Sequence, residues 1–171
     1  MSGDVELVDS PLRRPQLAAN SSWLPKQSDS EKDAAEGACS AYGYLRGIRD
    51  HALAIEFRFR DGTTETFPYS WLGPWRYNPS VGILLKFTGD LVTLVLIRGS
   101  NLDALVGQAM SLTDRGLARH RITFIREMED EELRAAGKGE PTIDAIEVEE
   151  FERMEEQREW MQRVAPAFVR L

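Results

Sequence analysis

The chain has 171 residues, 42% of them hydrophobic and 29% charged, with a net charge of −7. That length accommodates one compact domain plus tails, and no apolar run approaches the ~20 residues needed to cross a bilayer. A single cysteine, Cys39, excludes an internal disulfide and a cysteine zinc cluster.

The charge is unevenly spread. Residues 1–39 carry four Lys/Arg against seven Asp/Glu, residues 40–127 eleven against eight, and residues 128–171 six against thirteen. A mildly basic middle beside an acidic end fits a nucleic-acid surface with a competing acidic tail, and equally two solvated helix faces. The first nine residues are acidic and lack an apolar signal core, so the expected address is cytoplasmic.

Residues 1–39 read as a disordered N-terminal tail. Pro11, Pro15 and Pro25 and many polar residues leave no sustained apolar period. Within it Trp23-Leu24-Pro25 is a candidate anchor, and a short helix fits residues 30–38. Residues 40–127 read as a small β-barrel-like domain. Leu53, Ile55, Phe57 and Phe59 alternate with Ala54, Glu56, Arg58 and Arg60, the period-two pattern of a half-buried strand. Asp61-Gly62 supplies a tight turn, and Thr63–Tyr69 returns as a second strand that Pro68 places at an edge or at the end of pairing. A loop dense in turn residues and rings follows to Ser80.

Val81, Ile83, Leu85 and Phe87 make a third strand, and Thr88-Gly89-Asp90 turns the chain into Leu91–Arg98. That run is the most continuous apolar stretch, as expected of a strand buried on both faces. Two successive hairpins, an antiparallel meander, result. Asn101 or Ser100 suits a helix cap, and Leu102, Leu105, Val106 and Met110 predict a short amphipathic helix over 101–112. Residues 121–126 form a fifth strand. Residues 128–171 read as an acidic C-terminal helical extension: Met128 to Gly137 is helical, 142–148 suits strand or helix, and Phe151, Met154, Arg158 and Met161 space an amphipathic helix over 149–163. The expected fold class is α+β: a small, bent, antiparallel five-stranded sheet or barrel with one short helix.

Ile97-Arg98-Gly99 followed by Ser-Asn-Leu resembles the second signature of Sm-like proteins, and Phe57-Arg-Phe-Arg-Asp61-Gly62 resembles their first. The resemblance, to an Sm-like or SH3-like small barrel, covers residues 53–102. It implies a strongly bent five-stranded barrel that assembles into rings and binds single-stranded RNA, with Arg98 holding a base or phosphate. Two features depart from that pattern: Asn78 stands among Pro79 and aromatic residues, and a predicted helix separates Arg-Gly from the fifth strand. The span 55–127 is also similar to small uncharacterised bacterial proteins.

The loop carrying Tyr69, Trp71, Trp75, Arg76 and Tyr77 offers rings beside a cation, suited to stacking bases or a peptide or to closing the end of a small barrel. Arg58, Arg60, Lys86, Arg98, Arg119, Arg121 and Arg126 lie on or beside predicted strands, where a shared face would neutralise phosphates and separate faces would only solvate the domain. The binding residues expected are therefore Arg98, Trp71, Trp75, Arg76, Tyr77, Arg58 and Arg60. His51 and His120, with Asp50 or Glu127 as a third ligand, do not make a metal spacing, so no metal is expected. Cys39 has no base beside it. No nucleophile elbow, phosphate loop, dinucleotide fingerprint or zinc-protease motif occurs, and the acidic pairs Glu149/Glu150 and Glu155/Glu156 repeat like a helix exterior. The expectation is a non-enzymatic interaction module without a cofactor, binding single-stranded nucleic acid or a protein segment. The alternative is an assembly subunit that works through protein contacts or self-association.

Overall fold

The computed structural model describes residues 36–169. The disordered-tail and Trp23 expectations fall on residues 1–35, outside those described. Residues Glu36–Ala38, where the short helix was predicted to end, are instead a strand, β1.

The fold is α+β, with two sheets and few helices. After β1 come β2 (Tyr42–Leu45), β3 (Ala54–Arg58) and β4 (Thr64–Pro68). Then follow β5 (Arg76–Asn78), β6 (Gly82–Thr88) and β7 (Val92–Ser100). The chain continues with β8 (Ile122–Arg126), helix α1 (Asp130–Ala135), β9 (Thr142–Phe151) and helix α2 (Met154–Val164). One sheet has the order β1-β2-β8-β3-β4, the other β5-β6-β7-β9.

The predicted hairpins β3-β4 and β6-β7 both form, but they lie in different sheets, so the chain does not make one meander and the described residues do not close a barrel. The first sheet is mixed, because β8 enters it parallel to β3. The reason is apolar patterning on both ribbons. Phe57 and Phe67 of one sheet meet Phe87 of the other, the first edge-on at 6.1 Å and the second stacked at 4.7 Å. Ile55, Ile83, Leu85, Val95, Ile97, Ile122 and Ile125 fill the same interior. Two facing sheets bury this surface without the strong coiling that a closed five-stranded barrel demands.

β7 is buried on both sides from Thr93 to Ile97, as its unbroken apolar run predicts. Val95 and Ile97 face the inter-sheet core, while Leu94 and Leu96 join Leu84, Phe151, Trp160 and Phe168 beneath α2. Pro68 ends β4, which is an edge strand, where the missing N–H costs no ladder bond.

The helix predicted over 101–112 does not form. Asn101, Gly107 and Gln108 all adopt positive φ (53°, 58° and 60°), which a right-handed helix does not admit. Val106 and Met110 instead pair across a three-residue turn, and Leu102 and Met110 drop into the main core. Residues 142–151, open between strand and helix in the sequence, pair with β7 along its full length. The C-terminal segment is therefore partly a sheet strand rather than a wholly helical extension. α2 consequently starts at Met154 rather than at 149. Its inward residues are Trp160, Met161 and Val164, and Met154 is exposed. The helix predicted around 128–137 is α1, closed at its start by a reciprocal capping box between Glu129 and Glu132. Among the described residues no helix is long and apolar enough to cross a membrane.

Candidate anion-binding cleft

Most of the arginines singled out in the sequence are engaged within the protein and lie on different faces. On β3, Ile55 and Phe57 point inward, so Arg58 points out; it pairs with Glu56 at 2.8 Å and lies 3.9 Å over the Phe124 ring. Arg60 binds Asp130 at 3.0 Å and the Asp144 carbonyl at 3.1 Å. Arg126 pairs with Glu132 at 2.5 Å. Arg98 lies on the helix-covered side of the second sheet, donating to Glu147 at 2.7 Å and to the Val164 carbonyl at 2.9 Å. Arg76 donates to the Phe168 carbonyl on that same side.

The aromatic loop is largely folded into the body. Tyr69 is buried, with its hydroxyl donating to Ile122 O at 2.9 Å and its ring stacked on His120. Burial raises its phenol well above the ordinary range. Trp75 packs against the main core. Tyr77 donates to Asp103 at 3.0 Å, and burial, then that carboxylate, raises its hydroxyl as well. Trp71 alone of these rings is substantially open (43%).

A different set of cations converges. A cavity of about 620 Å³ opens between the β2–β3 connection and the segment leading into β8, lined by Tyr44, Arg46, Ile48, Arg115, Arg119 and Arg121 among others. Among the described residues no aspartate or glutamate lines it. Among the described residues none of these four arginines has a carboxylate within 4 Å, in contrast to Arg58, Arg60, Arg98 and Arg126.

The backbone fixes this arrangement locally. Leu45 N bonds Arg121 O at 2.8 Å, extending the β2–β8 pairing to the cavity rim, and Ala52 N bonds His120 O at 2.7 Å. A π-helical turn (Leu112–Gly116), capped by Ser111, carries Arg115, and the 3-10 turn Leu117–Arg119 carries Arg119. Arg115 Nη1 is tied to Ala109 O at 2.9 Å. His120 has positive φ (52°), and His51 Nδ1 is hydrogen-bonded to Arg119 O at 3.0 Å. Both histidines thus serve the frame, and no group of three metal-ligating side chains occurs among the described residues.

Arg119 and Arg121 belong to the basic set read from the sequence; Arg46 and Arg115 do not. The signal for them was weak, since Arg46 follows a short strand and Arg115 lies in the polar stretch between the helix predicted over 101–112 and the fifth strand. None of Arg98, Trp71, Trp75, Arg76, Tyr77, Arg58 and Arg60 lines the cavity.

No protein-family model, no curated protein and no solved structure matches the chain.

Proposed function

We propose that the protein is a non-enzymatic binding module whose arginine cleft takes single-stranded nucleic acid. The observation that carries this reading is the gathering of Arg46, Arg115, Arg119 and Arg121 around one cavity that no acidic side chain of the described residues lines. Arginine donors in a fixed fork bind phosphate, and cations unpaired within the protein favour an external anion. Tyr44 on the same wall adds a ring on which a base stacks. A duplex is too wide for a cleft of this size, whereas one splayed nucleotide is not. Fluorescence anisotropy with a short single-stranded oligonucleotide at low salt tests it. Affinity should fall steeply with added salt and fall again in Arg46→Ala and Arg119→Ala, while Arg58→Ala binds as the parent does. Absence of binding at low salt removes the reading.

Self-association is the second reading, supported by Ile48 and Leu53, which are 80% and 89% exposed within one connection. Light scattering of the parent and of an Ile48→Ser/Leu53→Ser variant tests it. A parent oligomer that the variant loses supports assembly; a monomeric parent rules it out.

A further inference from the structure

We propose that the cleft is selective for a phosphate monoester carried beside an aromatic base. That chemistry is shared by a free nucleoside monophosphate and the 5′-phosphorylated end of a single strand. The proposal rests on the cleft being the anion-binding site and adds which phosphate it takes.

Size is the first support. At about 620 Å³ the cavity has the size of a small-molecule pocket, a class spanning ~300–1,000 Å³. A channel that follows a strand past its interior phosphates is longer and continuous. A pocket of this kind holds one ligand unit.

Charge is the second. Arg121 is only 8% exposed. Its Nε donates to Leu45 O at 2.9 Å, and its Nη2 donates to Leu45 O and Arg46 O, each at 2.6 Å. Those carbonyls orient the guanidinium without neutralising it, and among the described residues its Nη1 has no hydrogen-bond partner. The edge carrying Nη1 is not sealed from solvent, so an anion entering the cavity can reach this fixed cation. Arg46, Arg115 and Arg119 add three positive charges at the same cavity. An interior phosphodiester brings one negative charge and two free oxygens. A terminal monoester brings about −1.5 to −2 at pH 7 and three acceptor oxygens. The second matches a lining in which the described residues supply four arginines and no acid.

The third support is the apolar wall. Tyr44, Met110 and the exposed Ile48 line the cavity beside the arginines. The Tyr44 ring lies against Gly37 of β1, where a Cβ would stand 2.3 Å from a ring carbon, so the backbone of the neighbouring strand holds the ring in place. Inorganic phosphate would use the cations and leave this wall idle; a nucleotide uses both.

The test titrates the full chain with a 3′-fluorescein oligothymidylate bearing either a 5′-phosphate or a 5′-hydroxyl. Thymidine 5′-monophosphate and inorganic phosphate serve as competitors. The expected result is binding about tenfold or more tighter for the phosphorylated strand, since the additional charge lies among unpaired cations. Thymidine monophosphate should displace it at lower concentration than inorganic phosphate does. Arg46→Ala and Arg119→Ala should erase the difference between strands, and Tyr44→Ala should weaken the nucleotide but not inorganic phosphate. Equal affinity for the two strands, with the arginine dependence intact, overturns the monoester selectivity and leaves the single-strand reading standing. Thymidine monophosphate binding without either strand upholds the pocket and removes the single-strand reading. Failure of every probe at low salt overturns both.

Discussion

Arg98 of β7 and Glu147 of β9 pair diagonally across the two strands, with Nε 2.7 Å from Oε1 and Nη2 reaching on to the last carbonyl of α2, that of Val164. The arginine after the central strand is thereby committed to holding the C-terminal helix on the second sheet. Arg98→Ala should cost about 1–2 kcal/mol, the sum expected of a half-exposed ion pair and one charged hydrogen bond. Urea denaturation measures the loss, and amide exchange should quicken in α2 before it quickens in β7. Unchanged exchange in α2 would show that the clamp contributes nothing.

Gly99, the other half of that pair, has a different job. A Cβ there would lie 1.9 Å from the Thr142 carbonyl oxygen, at the register shift between β7 and β9. The strands approach too closely for any side chain. Gly62 adopts φ +86° in the β3–β4 turn, with open space around it. Gly62→Ala should therefore cost only the left-handed backbone term, about 1–2 kcal/mol. Gly99→Ala should cost more, because backbone must move. Equal urea midpoints for the two variants would refute the steric account.

Two buried tyrosines make opposite predictions. Tyr42 is fully buried and among the described residues its hydroxyl has no hydrogen-bond partner, and burial, with Cys39 and Tyr44 nearby, raises that hydroxyl far above the ordinary range. Removing an unsatisfied polar atom relieves its desolvation, so Tyr42→Phe should leave stability unchanged or raise it by up to about 1 kcal/mol. Tyr69→Phe deletes the bond to Ile122 O and should lower stability by about 1 kcal/mol. Thermal melts of the two variants give the signs directly.

Two carboxylates should give stability opposite pH dependences. Partial burial, then the charge of Glu150, raises the Glu65 carboxyl in the folded state. The folded chain thus binds that proton more tightly than the unfolded chain, and ionised Glu65 weakens the fold. Glu65→Gln should raise Tm at pH 7, with the gain shrinking as pH falls from the raised folded value toward the unfolded value of about 4.3. Glu132 is lowered by its hydrogen bond from Arg126, then by the Glu129 backbone N–H. Its contribution is present above the unfolded value and lost as pH falls through the lowered folded one, so Glu132→Gln should reduce Tm at pH 7. Melts from pH 7 to pH 3, showing the same sign for both, would contradict the assignment.

Residues whose neighbours lie close in sequence were legible. The alternation Ile55/Phe57, the Asp61-Gly62 turn and the apolar run of β7 each encode a strand or hairpin through side-chain period and backbone freedom alone. Segment 101–112 was misleading, because its helical spacing of Leu102, Val106 and Met110 is equally served by a left-handed turn at Asn101 that drops Leu102 and Met110 into the core.

What only the folded chain decided was partnership between distant segments. β9 joins β7 because the open edge of the hairpin needs a ladder, and β8 runs parallel to β3 because the first sheet closes over the aromatic contacts of Phe57, Phe67 and Phe87. Pairing also sorted the arginines: Arg58 and Arg126 are met by acidic residues close in sequence, Glu56 and Glu132, whereas tertiary contact brings Asp130 to Arg60 and Glu147 to Arg98. Arg46, Arg115, Arg119 and Arg121 are gathered from two remote connections around one cavity. Sequence determines which side chains carry charge; whether a charge is already answered depends on what folding puts beside it.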